Sequence, residues 1–397
     1  MRRARQARIA PKPWTVLLFM VGDSELRPSI ARDILELERA GSSDEVNVVA
    51  AVQLTSRSDC EWLEIQPKDE EGRPTKAVRV GRSTAADLDG RLSEFLENAG
   101  KKYPADHYLL MMWGHASGLG FGRFAPGAKE DLIRLGQLAG SLNSLRAARP
   151  GRPKLEILGF CACAVSKAEY AIELRDAVDF LVSSQIGIST LMTWPFDSIV
   201  RRVLMSPTVQ PGTLACQIVQ AFERSYEPPP VALTALALRS SDGLSRQVDK
   251  IAKSILKALN ARGIQGRLNN LCVLEAFRKA LAAYPFDVEP LVDFFDFCAR
   301  LVDEEGLQTS VRRQARGVLD RGARSFVVQN ARSGPKFGAL NGLAILAPVF
   351  EDPDFGAILD RCSDKSASSA RLWRKTSWAE MVRKVQEFAA ANQELYS

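Results

Sequence analysis

Short apolar runs alternate with longer amphipathic stretches through the first half of this 397-residue sequence. The apolar runs are bounded by polar turns and have the length of buried strands, whereas the stretches between them have helical periodicity. This alternation predicts an α/β fold in which a mostly parallel sheet is sandwiched by helices and connected by right-handed crossovers. The predicted strands are Thr15–Val21, Val46–Leu54, His107–His115, Leu155–Phe160 and Asp179–Gln185, and the predicted helices are Ile30–Ala40, Leu88–Ala99, Leu132–Leu145 and Ser166–Ala177.

The second half of the sequence is more helical. A further strand is predicted at Thr234–Leu238, a mainly helical region from Asp242 to about Cys298, and a terminal helix at Trp378–Ala391. A late strand within residues 342–348 ends at a proline. We therefore divide the chain into a basic amino-terminal tail (1–12), an α/β core (13–240) and a mainly helical carboxyl-terminal extension (241–397) that contributes the late strand.

Charge and hydropathy limit the partners that the sequence predicts. There are 53 Lys and Arg against 47 Asp and Glu, and the resulting net charge of +6 does not require a nucleic-acid partner. The apolar run at residues 15–22 is too short for a signal-peptide core or a membrane span. The seven cysteines are odd in number, and several lie in apolar runs, as is typical of core residues in a reducing compartment. These features predict a soluble cytoplasmic protein that does not contact a membrane.

The sequence contains only two histidines, His107 and His115, which excludes a three-histidine metal site. His115 ends the third predicted strand and Cys163 follows the fourth, so in a parallel sheet the two side chains could meet at the carboxyl edge. A neighbouring imidazole can activate a thiol for acyl transfer. A core cysteine and a structural histidine are the alternative interpretation of this pair. His107, beside Asp106, is interpreted as a surface residue.

Several sequence blocks, in order along the chain, resemble the clostripain family of cysteine peptidases, in the clan that also contains caspases, legumain and gingipains. Pro13–Leu26 is similar to the family's first strand and acidic turn, Tyr108–Gly120 to its histidine block, and Leu158–Asp176 to its cysteine block. Further similarities lie at Phe180–Gln185, Trp194–Phe196, Val292–Phe297, residues 342–348 and Thr376–Trp378. The resemblance implies a caspase-like α/β fold and a cysteine endopeptidase.

The resemblance also implies the roles of individual residues. His115 would be the general acid and base and Cys163 the nucleophile. The oxyanion site would combine the backbone N–H of Cys163 with one near His115, from Gly114 or Ala116. Relatives generally need no third catalytic residue. No cofactor is implied, because calcium aids some relatives but this sequence has no compact acidic loop that would require it.

The sequence departs from the family pattern in the expected substrate pocket. Cys161 replaces an aspartate that in relatives helps to bind arginine or lysine, and residues 183–190 lack the usual acids. A buried guanidinium without a carboxylate is costly, so the pocket would favour a neutral residue unless Asp23 or Glu25 supplies the charge. Both options stay open. The candidate pocket residues are Cys161, Asp23, Glu25, Ser184, Gln185 and Trp194.

Two other functions remain as alternatives. The lost aspartate is compatible with a catalytically inactive or regulatory module of caspase-like fold. As a lesser alternative, Cys161, Cys163 and His115 would form an irregular metal or redox site. For the peptidase, we expect a specific protein or peptide substrate and leave a regulatory protein partner open. We also expect self-activation by cleavage within Pro126–Arg134 or Ala148–Lys154.

Overall fold

The computed structural model describes residues 10–54, 59–123, 131–149, 151, 154–188, 194–225, 231–285, 289–350 and 370–392. The strands are β1 (Lys12–Val21), β2 (Val46–Gln53), β3 (Cys60–Glu64), β4 (Val78–Ser83), β5 (Ala105–Trp113), β6 (His115–Ser117), β7 (Gly120–Arg123), β8 (Asp131–Arg134), β9 (Leu155–Cys161), β10 (Val178–Ser183), β11 (Val231–Ala237), β12 (Leu291–Asp293), β13 (Val327–Ser333) and β14 (Ala344–Leu346). The helices are α1 (Arg27–Ala40), α2 (Leu88–Lys102), α3 (Leu135–Ala147), α4 (Ala168–Leu174), α5 (Phe196–Met205), α6 (Pro211–Arg224), α7 (Ser241–Leu259), α8 (Gly263–Ala283), α9 (Phe294–Asp303), α10 (Thr309–Phe326), α11 (Arg371–Lys375) and α12 (Trp378–Ala390).

Five parallel strands form the centre of a nine-stranded sheet with the order β13-β11-β10-β9-β5-β1-β2-β3-β4. β1 pairs with β2 and β5, β9 lies between β5 and β10, and all these pairings are parallel. Antiparallel strands extend both edges, β3 and β4 on one side and β11 and β13 on the other. The predicted fold, a mostly parallel sheet sandwiched by helices with a more helical carboxyl-terminal extension, is confirmed.

Helices cover both faces of the sheet. The even-numbered residues of β1, from Trp14 to Met20, pack with α1, α5 and α6. The odd-numbered residues from Leu17 to Val21 pack on the opposite face with α2, α3, α4 and the carboxyl-terminal helices. Because both faces are buried from Trp14 onward, the positions of β1 favour apolar side chains, which accounts for its continuous apolar run from Val16 to Val21.

The carboxyl-terminal extension enters the sheet through an unexpected strand. The strand predicted within residues 342–348 is present as β14, but it pairs with β12 in a separate two-stranded sheet. The strand that joins the main sheet is β13, which pairs antiparallel with β11 and which the sequence did not predict. β13 lies at an edge, and most of its side chains are only partly buried, so it lacks the apolar run that marks the central strands.

The segment that carries His115 also differs from the expectation. The strand predicted at His107–His115 ends at Trp113, and His115 begins a three-stranded sheet of β6, β7 and β8. The predicted helix Leu132–Leu145 begins only at Leu135, because the residues before it form β8. The predicted helical region from 242 to 298 is divided among α7, α8, β12 and part of α9.

The described residues cover the predicted basic tail only in part. Residues 1–9 of the basic tail are not among the described residues, and Lys12 is already part of β1. Within the described ranges, no helix is both long enough and apolar enough to cross a membrane.

Candidate active site

The carboxyl ends of β5 and β9 lie side by side in the sheet. Trp113, the last residue of β5, is paired in register with Cys161, the last residue of β9. The Gly114 N–H donates to the Cys161 carbonyl over 3.3 Å and continues this pairing beyond the strands. His115 and Cys163 each follow two residues after the paired position. The register therefore brings both predicted catalytic residues to the same edge of the sheet.

The His115 imidazole contacts a carboxylate from the end of β1. Nε2 of His115 lies 3.1 Å from Oδ2 of Asp23. The other oxygen of Asp23 accepts the N–H groups of Glu25 and Leu26 at 2.9 and 3.0 Å, at the start of α1. Partial burial acts to raise the pKa of Asp23. The Leu26 N–H and the His115 imidazole outweigh it and hold this pKa below its ordinary value. Asp23, a candidate pocket acid, is thus bound to the predicted catalytic histidine, whereas Glu25 is exposed.

Cys163 lies in the turn that follows β9 and is half-buried. The Ile188 N–H donates to its Sγ at 3.3 Å, and the thiol is 3.7 Å from the Ile188 carbonyl oxygen. Burial raises the pKa of the Cys163 thiol, although the Ile188 N–H and the nearby Lys167 ammonium act to lower it. The thiol is therefore protonated at neutral pH in this arrangement, and it needs a base before it can attack a carbonyl.

The turn after Cys163 is strained. Ala164 has φ of +47°, and it is the only non-glycine residue among the described residues with a positive φ. A side chain in the left-handed region costs roughly 1 kcal/mol, so the surroundings must hold it there. The Ala164 N–H donates to the Ile186 carbonyl over 3.0 Å, and the Ala164 side chain is buried. This strain fixes the direction in which the chain leaves β9 beside the cysteine.

Four of the candidate pocket residues are buried. The exposed fraction is 5% for Cys161, 1% for Ser184 and Gln185, and 0% for Trp194. Burial raises the pKa of the Cys161 thiol well above its ordinary range, so this residue is neutral. The Trp194 indole packs on Gly159, where an added Cβ would lie 2.9 Å from the ring. Only glycine at this position lets the indole pack directly against the sheet.

Gln185 joins the end of β10 to the carboxyl-terminal extension. Its side chain donates to Asp293 over 2.9 Å and accepts the Gly342 N–H over 2.7 Å, while its carbonyl accepts the Tyr284 hydroxyl at 2.5 Å. Asp293 caps α9 by accepting the N–H groups of the helix's second and third residues, at 3.0 and 2.8 Å. Ser184 is also internal, because its Oγ accepts the Ile186 N–H at 3.1 Å. These two side chains thus form contacts within the protein.

The three candidate oxyanion donors differ in their hydrogen bonding. The Gly114 N–H is used in the sheet by Cys161, as described above. Ala116 pairs with Phe121 one position away from the turn pair of the β6–β7 hairpin. In a two-residue hairpin the pair flanking the turn exchanges hydrogen bonds and the next pair does not, so the Ala116 N–H points away from β7. The Cys163 N–H has no backbone acceptor within the described part of the chain.

The structure adds two charged residues that the sequence did not single out. Lys167 and Glu289 form a buried ion pair, and both affect the pKa of Cys163. A charged residue between the apolar residues after Cys163 and α4 could have drawn attention to Lys167. Nothing in the sequence links Lys167 to Glu289. His107 lies at the amino end of β5, where its ring packs on Trp14 at 4.9 Å between centroids.

The donor set for the metal alternative is not assembled among the described residues. No group of three or more His, Cys, Asp or Glu side chains there is placed to hold a metal ion. The described cysteines 60, 161, 163, 216, 272 and 298 are all free thiols. Cys161 and Cys163 are therefore not joined to each other.

Comparisons with solved structures agree with this fold. A secreted C11 cysteine protease from Bacteroides thetaiotaomicron, "iotapain", aligns over 94% of this chain and 99% of its own, with a TM-score of 0.64 and 15% identity. An inactive zymogen C11 protease from Parabacteroides distasonis aligns over the same shares with a TM-score of 0.61 and 15% identity. A secreted Bacteroides thetaiotaomicron C11 protease in complex with an irreversible peptide inhibitor covers 89% of this chain and 98% of its own, with a TM-score of 0.62 and 13% identity. At these identities, the similarity shows the fold.

A family comparison addresses the sequence directly. No curated protein matches the sequence. The model of the clostripain family, peptidase C11, matches residues 18–315, about three quarters of the chain. This matched range includes the histidine and cysteine blocks, the strands that carry them and the first carboxyl-terminal helices. The chain belongs to the clostripain family of cysteine peptidases.

Proposed function

We propose that the protein is a cysteine endopeptidase in which Cys163 attacks the peptide carbonyl and His115 transfers protons. The register of β5 and β9 is the observation that carries this proposal. It pairs Trp113 with Cys161, so both candidate catalytic residues follow neighbouring parallel strands at the same distance from a paired position. A thiol and an imidazole at one sheet edge supply the nucleophile and the base that acyl transfer needs.

The proposed reaction has two stages. The Cys163 proton passes to His115 while the sulfur bonds to the carbonyl carbon, and the carbonyl oxygen becomes a tetrahedral oxyanion that the Cys163 and Ala116 N–H groups stabilise. When the C=O bond re-forms, the C–N bond breaks and His115 gives its proton to the leaving amine. Water then loses a proton to His115 and attacks the thioester, which releases the carboxylic acid and restores the thiol.

The contact with Asp23 distinguishes the two nitrogens of the His115 imidazole. An ionised carboxylate can only accept a hydrogen bond, so Nε2 carries the proton shared with Asp23. Nδ1 is then the nitrogen that takes the proton of Cys163. Asp23 acts through His115 and is a positioning residue in this scheme.

We also propose that the full-length chain is a precursor of low activity. Both polar backbone atoms of Ile188 contact the Cys163 sulfur, and burial keeps the thiol protonated. Activation by self-cleavage would change these contacts. In the first candidate segment, residues 126–130 lie outside the described residues and Asp131–Arg134 is strand β8, so a cut before Asp131 leaves the paired strands intact. In the second, residues 150, 152 and 153 lie outside the described residues.

We propose that the residue before the scissile bond is neutral. The neutral, buried Cys161 takes the place of the family's aspartate, and Asp23 is engaged by His115. Glu25 is exposed, where water weakens ion pairs. Glu289, whose charge raises the pKa of the Cys163 thiol, already forms a buried ion pair with Lys167. None of these described acids is available to pair with a guanidinium.

A peptide-library cleavage profile tests this preference. We expect the wild type to cut after neutral residues and Cys161→Asp to shift the preference toward arginine or lysine. Cys161→Asn is the matched control, because it changes size and polarity in the same way without the charge. Cleavage after arginine by the wild type would overturn the proposal.

The peptidase activity itself is tested with a peptidyl ketone probe and mass spectrometry. We expect labelling of Cys163 that is lost in Cys163→Ala and strongly reduced in His115→Ala. Cys216→Ala is the matched control, because Cys216 is also a half-buried free thiol but lies on α6. Absence of labelling after every activating treatment would favour the inactive, regulatory module, for which the Ile188 contacts with the thiol are the supporting observation.

We also propose that the substrate is a specific protein and that the compartment is the cytoplasm. The neutral pocket favours a dedicated protein substrate over general digestion, and it is compatible with a regulatory protein partner. The free thiols of the described residues are compatible with a reducing cytoplasm.

A further inference from the structure

We propose that Lys167 and Glu289 are positioning residues that hold the hairpin carrying His115 in place beside Cys163. This inference rests on the proposed function, because it assigns a role to residues that contact neither substrate nor sulfur. It also gives the carboxyl-terminal extension, which contains Glu289, a direct part in arranging the active site.

The ion pair holds one residue of the hairpin from both sides. The Lys167 ammonium binds the Glu289 carboxylate, with side-chain exposures of 2% and 3%. The same ammonium donates to the Gly118 carbonyl over 2.8 Å, and the Gly118 N–H donates to the other oxygen of Glu289 over 2.7 Å. Both backbone polar atoms of Gly118 are therefore bound by one buried pair.

Gly118 lies at the turn between β6 and β7, three residues after His115. Its φ of +56° favours glycine, and an added Cβ would meet no atom within 4 Å, so backbone conformation rather than space explains this residue. β6 contains only three residues, His115 to Ser117. A hairpin this short moves as one piece, so fixing its turn fixes the backbone of His115.

Lys167 is tied to the other catalytic residue. It lies four residues after Cys163, and the intervening Ser166 is bound on three sides. The Ser166 N–H donates to Ser184, its hydroxyl donates to Gly342, and its carbonyl accepts the Ala344 N–H, all at 2.8 Å. The ammonium that binds the β6–β7 hairpin (the histidine hairpin) therefore projects from a segment that is rigidly attached to the turn carrying Cys163 (the cysteine turn).

Glu289 supplies the third attachment. It lies two residues before β12, and its carbonyl accepts the Leu291 N–H over 2.8 Å. β12 pairs with β14, the strand that follows the Gly342 contact to Ser166. The pair thus joins the histidine hairpin, the cysteine turn and the carboxyl-terminal extension at one point.

A purely stabilising role is the competing explanation. Buried ion pairs contribute little net stability compared with apolar residues of similar size, and removing one partner leaves an uncompensated charge. A useful comparison is the buried pair of Arg149 and Glu156, at 2.8 Å with side-chain exposures of 5% and 9%. That pair lies at the amino end of β9, where Glu156 accepts the Tyr108 N–H, so it is far along the strands from His115.

The test compares the two pairs in a double-mutant cycle with His115. Lys167→Met and Glu289→Gln are the test variants, and Arg149→Met and Glu156→Gln are their matched controls. For each folded variant, with and without His115→Ala and after the same activating treatment, we would measure the rate of Cys163 alkylation by iodoacetamide and kcat for peptide cleavage, with cleavage supplied in trans where a variant does not cut itself. Thermal unfolding would report stability separately.

We expect both test variants to lower kcat by about tenfold to a hundredfold, the scale of a misplaced catalytic group. The direct electrostatic effects of Lys167 and Glu289 on the Cys163 thiol persist in the His115→Ala background, so the part of the rate change that disappears there is the part that acts through His115. The control variants should lower stability to a similar extent and leave both rates within about threefold. If Lys167→Met fails to fold, Glu289→Gln alone decides, since it retains an acceptor for the Gly118 N–H.

The outcomes separate the two proposals. If Cys163 of the activated wild type reacts no faster than Cys163 of identically treated His115→Ala, the peptidase proposal fails and this inference falls with it. If the wild type depends on His115 and Lys167→Met or Glu289→Gln retains that dependence, only this inference is overturned. Equal losses of kcat in the test and control pairs would likewise assign Lys167 and Glu289 to stability alone.

Discussion

The carboxylate of Asp23 lies 3.1 Å from Nε2 of His115, although the two residues are 92 positions apart in the chain. Two backbone N–H groups at the start of α1 hold the carboxylate in place, so its position does not depend on the imidazole. The histidine hairpin is thus fixed at one end by the first strand of the sheet and, at its turn, by Lys167 and Glu289.

We expect Asp23→Asn to lower kcat about a hundredfold or more while KM changes little. The Asn oxygen would take over the backbone N–H groups, so its NH₂ would face Nε2 and force the proton onto Nδ1, the nitrogen that must accept the thiol proton. Steady-state kinetics on a peptide substrate measures this. Glu25→Gln, an exposed neighbour, should behave like the wild type. An Asp23→Asn protein with full kcat would exclude a role through His115.

The reactivity of Cys163 in the uncleaved chain should rise with pH. Burial raises the pKa of this thiol above its ordinary value of 9.0, so little thiolate is present at pH 7 and more forms as the pH increases. Alkylation rates of the uncleaved protein between pH 6 and 10 should therefore climb without a plateau below pH 9. The half-buried Cys216 is the internal comparison. A plateau at neutral pH would show that the thiol is already activated in the precursor.

Glu169 on α4 should make the folded state less stable as pH rises. It is fully buried, accepts the Leu346 N–H and the Trp373 indole N–H at 3.2 and 3.0 Å, and burial raises its pKa from 4.5 to about 7. Because the pKa in the folded state is the higher one, the protonated carboxyl contributes fully to the stability of the folded state below about pH 4.5. This contribution is lost progressively as the pH rises to about 7. Glu169→Gln retains an acceptor without this loss.

Urea unfolding at pH 5 and pH 8 checks the sign. At each pH, the difference to measure is the urea midpoint of Glu169→Gln minus that of the wild type. This difference should be larger at pH 8 than at pH 5. A difference between the two proteins that is the same at both pH values would contradict the assignment to Glu169.

Self-cleavage predicts a simple band pattern. Purified wild-type chain should convert to two fragments over time under activating conditions, whereas Cys163→Ala should stay full length. Mass spectrometry of the new termini would locate the cut, which we expect within Pro126–Arg134 or Ala148–Lys154. Identical single bands from both proteins would rule out activation by self-cleavage.

The central strands could be predicted from the sequence because burial on both faces leaves continuous apolar runs, as in β1 and β5. The edge strands could not. β4, at Val78–Ser83, and β13 have only one fully buried side chain each and carry polar residues among the others, so neither shows such a run. The end of β5 at Trp113 could not be predicted either, since nothing in the sequence after its apolar run indicates that His115 starts a hairpin.

The chemistry of the site was visible only in part. His115 and Cys163 stand out through the family blocks around them. The contacts that arrange them do not, because Asp23 and His115 are 92 residues apart and Lys167 and Glu289 are 122 residues apart. Side-chain pairs at such separations depend on the register of the folded sheet and on how the carboxyl-terminal extension packs. No local sequence pattern records them.

The position of β13 beside β11 has a consequence for any attempt to isolate the catalytic half. A chain ending at Ser240 would keep β11 but lose the neighbour along one of its edges. That edge would be free to pair with a second molecule, and the apolar side chains of α4 and β11 that pack against the carboxyl-terminal helices would be open to solvent. We expect such a fragment to aggregate, and the intact protein to unfold in a single cooperative transition that includes both halves.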